Sequence, residues 1–276
     1  MDFPKRMEAK VITLLSDFGY KDPFVGVMKG VIFGINPDAR VIDLSHGIRP
    51  QDVMAGALAL RHSAPYFPPG AIHVAVVDPG VGTERRPLLI EAEDRFFIGP
   101  DNGLLSLALE GKSPRRIIEV ANAAYHLKPT SATFHGRDIF APVAAHLSLG
   151  ILPTDLGPAR GDFHRLPWPK LKTTGLAIQG EIIYIDGFGN LVTNIEEQAL
   201  KRLCAEKLIL SVGSLSIRGL AANYSSADER GYVALVNSWG LLEIALYKGH
   251  AQRSCGAKIG DKVHIQQEVA NAGEAL

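Results

Sequence analysis

Several polar stretches of this chain carry residue types at spacings that can do chemistry. Ser16-Asp17-Phe18-Gly19, Asp43-Leu44-Ser45-His46-Gly47 and Asp78-Pro79-Gly80-Val81-Gly82 each run on from a short apolar segment, and each supplies a carboxylate. Carboxylates placed together can grip hydroxyl groups, orient a water or accept its proton. Any one of these loops reads equally well as an ordinary turn, because Asp and Gly both favour turns. Three in succession shift the balance toward a shared crevice. Arg85 follows Asp78 closely enough to pair with it across the loop, although a solvated surface arginine is the plainer reading of that residue alone. Thr133-Phe134-His135-Gly136-Arg137-Asp138 sets His135 at a helix entrance, where free N–H groups and the positive end of the helix dipole suit a nucleophile or polar ligand. A structural histidine is the alternative there.

Two further stretches lie in the second half. Asp186-Gly187-Phe188-Gly189-Asn190 offers an aromatic face beside an amide, which suits a purine, and is otherwise a hairpin loop. Asn237-Ser238-Trp239-Gly240, followed by Glu243, is a second polar interruption between apolar segments. Asp78-Pro-Gly-Val-Gly lacks the GxGxxG spacing and the Lys-Ser/Thr of a phosphate loop, which argues against triphosphate binding. The histidines form no HExxH or other local metal spacing, and a site built from Asp17, Asp78 and His135 converging in space is the metal alternative.

The elements that must position these groups fall into two classes. In the first part, apolar runs at Val11–Leu15, Val41–Leu44, Ala71–Val77 and Arg116–Val120 alternate with helical patterns, the rhythm of an α/β domain with a mainly parallel sheet. Ligands of such a sheet bind beyond the carboxyl ends of its strands, which is where the three aspartate loops would sit. Helices are predicted from Phe24 to Ile35, capped by Asp22 with Pro23 as first helical residue, from Asp52 to about His62, and from about Arg137 to Leu149, ended by Gly150. Leu152 to Lys172 is rich in proline and reads as a linker, so the domains are predicted as 1–170 and 171–276. Beyond it, strands at Glu181–Asp186, Leu191–Ile195, Lys207–Val212, Tyr232–Val236, Leu241–Tyr247 and Lys262–Gln266 predict a smaller all-β barrel domain.

Composition bounds the partners. Lys+Arg and Asp+Glu both number 29 in 276 residues, so no net field draws nucleic acid or an anionic membrane surface. The first apolar run is too short for a signal peptide or membrane span, which predicts a cytoplasmic protein. Cys204 and Cys255 are isolated and read as buried or incidental.

In combination, SDFG, Asp22-Pro-Phe-Val-Gly, VDPGVGT, GPDNG, TFHGRDIFAP and DGFGNLVTNI occur here in the order found in the S-adenosylmethionine hydroxide adenosyltransferases, and the chain resembles that family from residue 11 to about 265. The resemblance implies an α/β domain followed by a β-barrel, and hydrolysis of S-adenosylmethionine, with its (R)-sulfonium epimer as one candidate form, to adenosine and methionine by attack at the ribose C5′. No cofactor or metal is implied. It implies a homotrimer whose sites lie between subunits. Carried over by position, Asp78, Arg85 and His135 match the catalytic set, and Asp17 the carboxylate on the ribose hydroxyls. Asp22, Ser238 and Glu243 match the methionine end, Asp186, Phe188 and Asn190 the nucleoside, and Leu246 a backbone contact to adenine. The related fluorinase and chlorinase attack the same carbon with halide. Asp78 stands where they have tyrosine, Gly136 where the fluorinase has its fluoride-binding serine, Gln51 where they have tryptophan, and Trp239 where they have arginine. A halogenase and a non-catalytic adenosine or S-adenosylmethionine sensor are the competing readings.

Overall fold

A computed structural model describes residues 10–268 in two compact units, the first ending at Leu166 and the second beginning at Pro167. In the first unit, β1 (Val11–Ser16), α1 (Phe24–Ile35), β2 (Arg40–Ser45), α2 (Val53–Ser63), β3 (Ile72–Val76), β4 (Pro87–Ala92), β5 (Arg95–Pro100), β6 (Arg116–Glu119) and α3 (Ala141–Ser148) build one sheet of order β2-β1-β3-β5-β4-β6. The β1–β2, β1–β3 and β3–β5 pairs are parallel, whereas β4 runs antiparallel to both β5 and β6. The sheet is therefore mixed, and its parallel part carries the aspartate loops.

Every residue of β3 is buried, as are Ile12, Leu14 and Leu15 of β1, because helices cover both faces; this is why those strands read as mostly apolar runs, interrupted inside only by Thr13 and His73. Met28 and Ile32 of α1 and Val143, Ala144 and Leu147 of α3 share one core with Ile12, Leu14 and Val74. Asp52 caps α2 by accepting from the Ala55 N–H at 2.9 Å. Asp22 does not cap α1. Pro23 holds the N-cap position, its carbonyl accepting from Val27 N–H, and no side chain caps that end. The third predicted helix opens as a π-helical turn, Gly136–Phe140, before α3 begins.

His73 of β3 is fully buried inside this core, stacked on Phe97 and hydrogen-bonded through Nδ1 to Thr13 Oγ1 at 2.8 Å. Burial, helped by the nearby charges of Arg95 and Lys112, lowers its pKa from 6.5 to about 4. Between those values the unfolded chain binds a proton that the native state refuses, so stability is complete above pH 6.5 and declines as pH falls toward 4. Chemical denaturation should show a loss of up to about 3 kcal/mol from this residue over that window. His73→Phe should flatten the slope; an unaltered slope would assign it to other groups.

The second unit comprises β7 (Lys172–Thr174), β8 (Ala177–Ile185), β9 (Leu191–Glu196), β10 (Leu208–Val212), β11 (Leu215–Arg218), β12 (Tyr232–Val236), β13 (Leu241–Leu246) and β14 (Lys262–Gln267). These form an antiparallel sheet of order β11-β10-β14-β8-β9-β13-β12, with β7 paired to β8. The nine-residue β8 pairs with β14 along its first half and β9 along its second, which bends the sheet around its own core. The seam is bridged where Ala221 N–H donates to the Ala234 carbonyl at 2.8 Å, so the sheet is a nearly closed barrel. Cys204 and Cys255 are free and half-buried. Among the described residues no helix is long and apolar enough to cross a membrane.

Candidate active site

The order β2-β1-β3 makes a topological switch point between β1 and β3, and the residues that follow those two strands flank the crevice it creates. A cavity of about 430 Å³ opens there, lined among others by Asp17, Phe18, Gln51, Asp78, Phe134, His135 and Gly136. Asp17 and Asp78 therefore meet as the parallel sheet requires. Asp43 does not join them. It lies within the outer strand β2, where it accepts from Lys29 Nζ at 2.7 Å and Tyr20 Oη at 3.0 Å, and the chain reaches the cavity only further on, at Pro50 and Gln51. Asp22 is exposed and is not among the lining residues.

Asp78 and Arg85 form a nearly buried pair, their side chains 5% and 9% exposed. Arg85 Nε donates to both carboxylate oxygens at 3.0 Å, and Nη2 donates to Oδ2 at 2.5 Å. The same Nη2 lies 2.6 Å from His135 Nδ1. An arginine nitrogen can only donate, so His135 Nδ1 accepts and its ring proton sits on Nε2. Burial, with Arg85 as second cause, lowers the His135 pKa below 6.5. The neutral ring thus persists into mildly acidic solution. The acid limb of a kcat/KM profile is expected below pH 6.5; a limb above that value would show that another group controls it.

Neighbouring motifs fix this geometry. Asn102, from GPDNG, donates through Nδ2 to the Val77 carbonyl at 2.8 Å and so anchors the residue before Asp78. Arg86 turns the other way, to Asp101 and to Asp162 Oδ1 at 2.9 Å, leaving Arg85 alone to face the cavity loop. Gly82 adopts φ +78° with its α-carbon packed against the Ala132 carbonyl oxygen, which draws the Asp78 loop onto the segment leading to His135. Asp138 is fully buried and accepts from Arg137 Nε at 2.6 Å and from Ser131 N–H at 2.8 Å, which ties that segment to the π-helical turn. Asp17 Oδ2 accepts from the Gln51 N–H at 2.8 Å. Among the described residues no group of three or more His, Cys, Asp and Glu side chains is arranged to hold a metal ion.

The barrel has a cavity of its own, about 460 Å³, lined by Asp186, Phe188, Asn190, Tyr224, Leu246, Tyr247, Lys248 and Gly249. Asp186 Oδ1 accepts from the Phe188 and Asn190 N–H groups, and Oδ2 from Asn190 Nδ2 at 2.9 Å, so the loop is held by its own first residue. The Asn190 amide nitrogen is engaged inside the loop, while Phe188 stands 79% exposed at the cavity. Ser238 is exposed and Glu243 is buried, and neither lines this cavity. Tyr224, which the sequence did not single out, lines the cavity and reaches Glu243: its hydroxyl donates to Glu243 Oε1 at 2.9 Å, and desolvation with that bond raises its pKa to about 12. Asn237 Nδ2 donates to the other Glu243 oxygen at 2.9 Å.

Comparison with known proteins matches both units. The model of the SAM hydroxide adenosyltransferase N-terminal domain matches residues 12–157, and that of the C-terminal domain matches residues 180–264. The chain is 38% identical to an (R)-S-adenosyl-L-methionine hydrolase of Thermus thermophilus, over 92% of this chain and 98% of the relative. It is 29% identical to a fluorinase of an Actinoplanes species, over 70% and 74% of the two chains. The crystal structure of an uncharacterised conserved protein from Thermotoga maritima superposes with a TM-score of 0.87 at 35% identity, covering 93% of this chain and all of that one. With both domain models matched in sequence order and a relative aligned along nearly its whole length, this chain belongs to the SAM hydroxide adenosyltransferase family.

Proposed function

We propose that this enzyme hydrolyses S-adenosylmethionine to adenosine and methionine by water attack at the ribose C5′, with the (R)-sulfonium epimer as substrate, as in its Thermus relative. The observation that carries the reading is the continuous Asp78–Arg85–His135 hydrogen-bonded chain at a cavity that also holds Asp17. The oxygen of water bonds to C5′ as the C5′–S bond breaks. Sulfur takes the electron pair and leaves as a neutral thioether, so no acid is needed for the leaving group. One proton is released from water. Asp78 aims the water, and because both its oxygens are held by Arg85, its orientation contributes more than its strength as a base. His135 and Arg85 stabilise hydroxide character as it develops. Asp17 grips the ribose hydroxyls. The positive charge of the sulfonium disappears at the transition state, which a water-poor site without a carboxylate against sulfur favours.

The barrel cavity around Phe188 and Asn190 is the nucleoside half of a site completed between copies in a homotrimer; a monomer mass by light scattering would remove that part. Hydrolysis is favoured over halide transfer by packing at Gly136. A Cβ there would lie 3.2 Å from both Met28 Sδ and Phe134 Cε2, so the serine that holds fluoride in the fluorinase would fit only if those side chains gave way by a few tenths of an ångström. Incubation of chelator-treated protein with each epimer in oxygen-18 water, with and without halide, tests the proposal. Labelled adenosine from the (R) epimer supports it; a 5′-halonucleoside, or ligand bound and never turned over, overturns it.

A further inference from the structure

Between β2 and α2 the chain turns through Arg49, Pro50, Gln51 and Asp52, closed by the Asp52 N–H donating to the Arg49 carbonyl at 3.0 Å. Pro50 takes the second position and Gln51, with φ +66°, the third. This is a type II turn, and its third position calls for glycine or asparagine because φ is positive there. Glutamine pays a conformational penalty at that point which glycine would avoid. Packing does not account for it, since Gln51 is exposed. The backbone does not account for it either. The N–H that holds Asp17 Oδ2 at 2.8 Å would be supplied equally by glycine. What glutamine alone supplies is a carboxamide, and Gln51 is among the residues lining the cavity that holds Asp17, Asp78 and His135.

We propose that Gln51 is a specificity-determining residue whose carboxamide completes, with Asp17, the recognition of the ribose hydroxyls. This rests on the S-adenosylmethionine reading given above. A carboxylate only accepts hydrogen bonds, and one oxygen of Asp17 is already engaged by the turn. A vicinal diol presents lone pairs as well as hydrogens, and those lone pairs require a donor that Asp17 cannot be. The carboxamide NH₂ of Gln51, a residue whose backbone N–H already holds Asp17, is that donor.

The test compares wild type, Gln51→Gly and Gln51→Leu for thermal stability and for kcat/KM on S-adenosylmethionine and its 2′-deoxy and 3′-deoxy analogues. Gln51→Gly keeps the turn and its N–H, so Tm is expected to rise by about 2–4 °C, while kcat/KM on the ribose substrate falls about tenfold. The preference for ribose over the deoxy analogues should shrink by a similar factor. Gln51→Leu keeps the bulk and the strain, and should show the kinetic loss without the gain in Tm. Unchanged kcat/KM and ribose preference in both variants would overturn the assignment, and a glycine variant no more stable than wild type would overturn the strain argument beneath it. Should wild type fail to hydrolyse S-adenosylmethionine, the functional reading falls separately; calorimetric titration with adenosine and 2′-deoxyadenosine then decides on Gln51, supporting the assignment if discrimination shrinks in the variants and overturning it if discrimination is unchanged.

Discussion

Asp78→Asn is expected to lower turnover by about 10²–10⁴-fold while S-adenosylmethionine still binds, because in the mechanism proposed above the substitution removes the group that aims the water and leaves the cavity wall in place. Asparagine preserves shape and can still accept one bond from Arg85. It cannot match a carboxylate that takes three bonds from one guanidinium. The arginine is then a nearly buried cation without its counterion, and breaking such a pair costs about 3–5 kcal/mol. Single-turnover kinetics at a temperature well below the variant's Tm, alongside calorimetric binding, separate the two effects. Turnover at the wild-type rate would remove Asp78 from the mechanism, and lost binding with normal chemistry would make it a substrate-holding residue instead.

Gly82→Ala should be nearly as damaging although it touches no reacting atom. The methyl group would be driven into the Ala132 carbonyl oxygen, and the backbone at φ +78° resists any side chain. Left-handed strain of about 1–3 kcal/mol adds to an overpacking cost of similar size, about 1–3 kcal/mol. Relief requires the Asp78 loop and the segment before His135 to separate, which stretches the 2.6 Å contact between Arg85 Nη2 and His135 Nδ1. A displacement of about 1 Å at a reacting group can cost about 10²-fold in rate. The variant should therefore lose both Tm and kcat, with little change in KM. A variant of normal stability and rate would mean that the two loops are placed independently of that contact.

The sheet strands that hold the site were legible because the chain writes burial on both faces as mostly apolar runs at β1 and β3, and Asp52 announced α2 as its cap. The β4–β5 hairpin was not. Its two-residue turn, Glu93-Asp94, has positive φ at both positions, a geometry that asparagine and glycine normally mark, and neither residue is present. The turn at Pro50-Gln51 was hidden for the same reason, and with it the contact that steadies Asp17. Asp78 and Arg85 could be paired by their closeness in sequence, whereas the approach of His135 depends on the Gly82–Ala132 packing that no local pattern carries. Asp43 looked equivalent to the other two aspartates because strand-end loops look alike in sequence; only the strand order, with β2 outside the β1–β3 switch point, separates them. Tyr224 opens a three-residue 3₁₀ turn, too short to carry a periodic signal.

The proline-rich stretch after Leu152 behaves as a strap, not as slack. Leu156 is buried, Ala159 bridges to Ile118, and the His164 and Leu166 N–H groups donate to Asp101 and Ser106. A gene fragment cut at the first proline would strip an apolar plug and two backbone clasps from the unit that carries Asp78, whereas one cut after Leu166 would keep them. The inheritable module is thus longer than its last helix, and a graft of this catalytic unit onto another scaffold has to carry the strap with it.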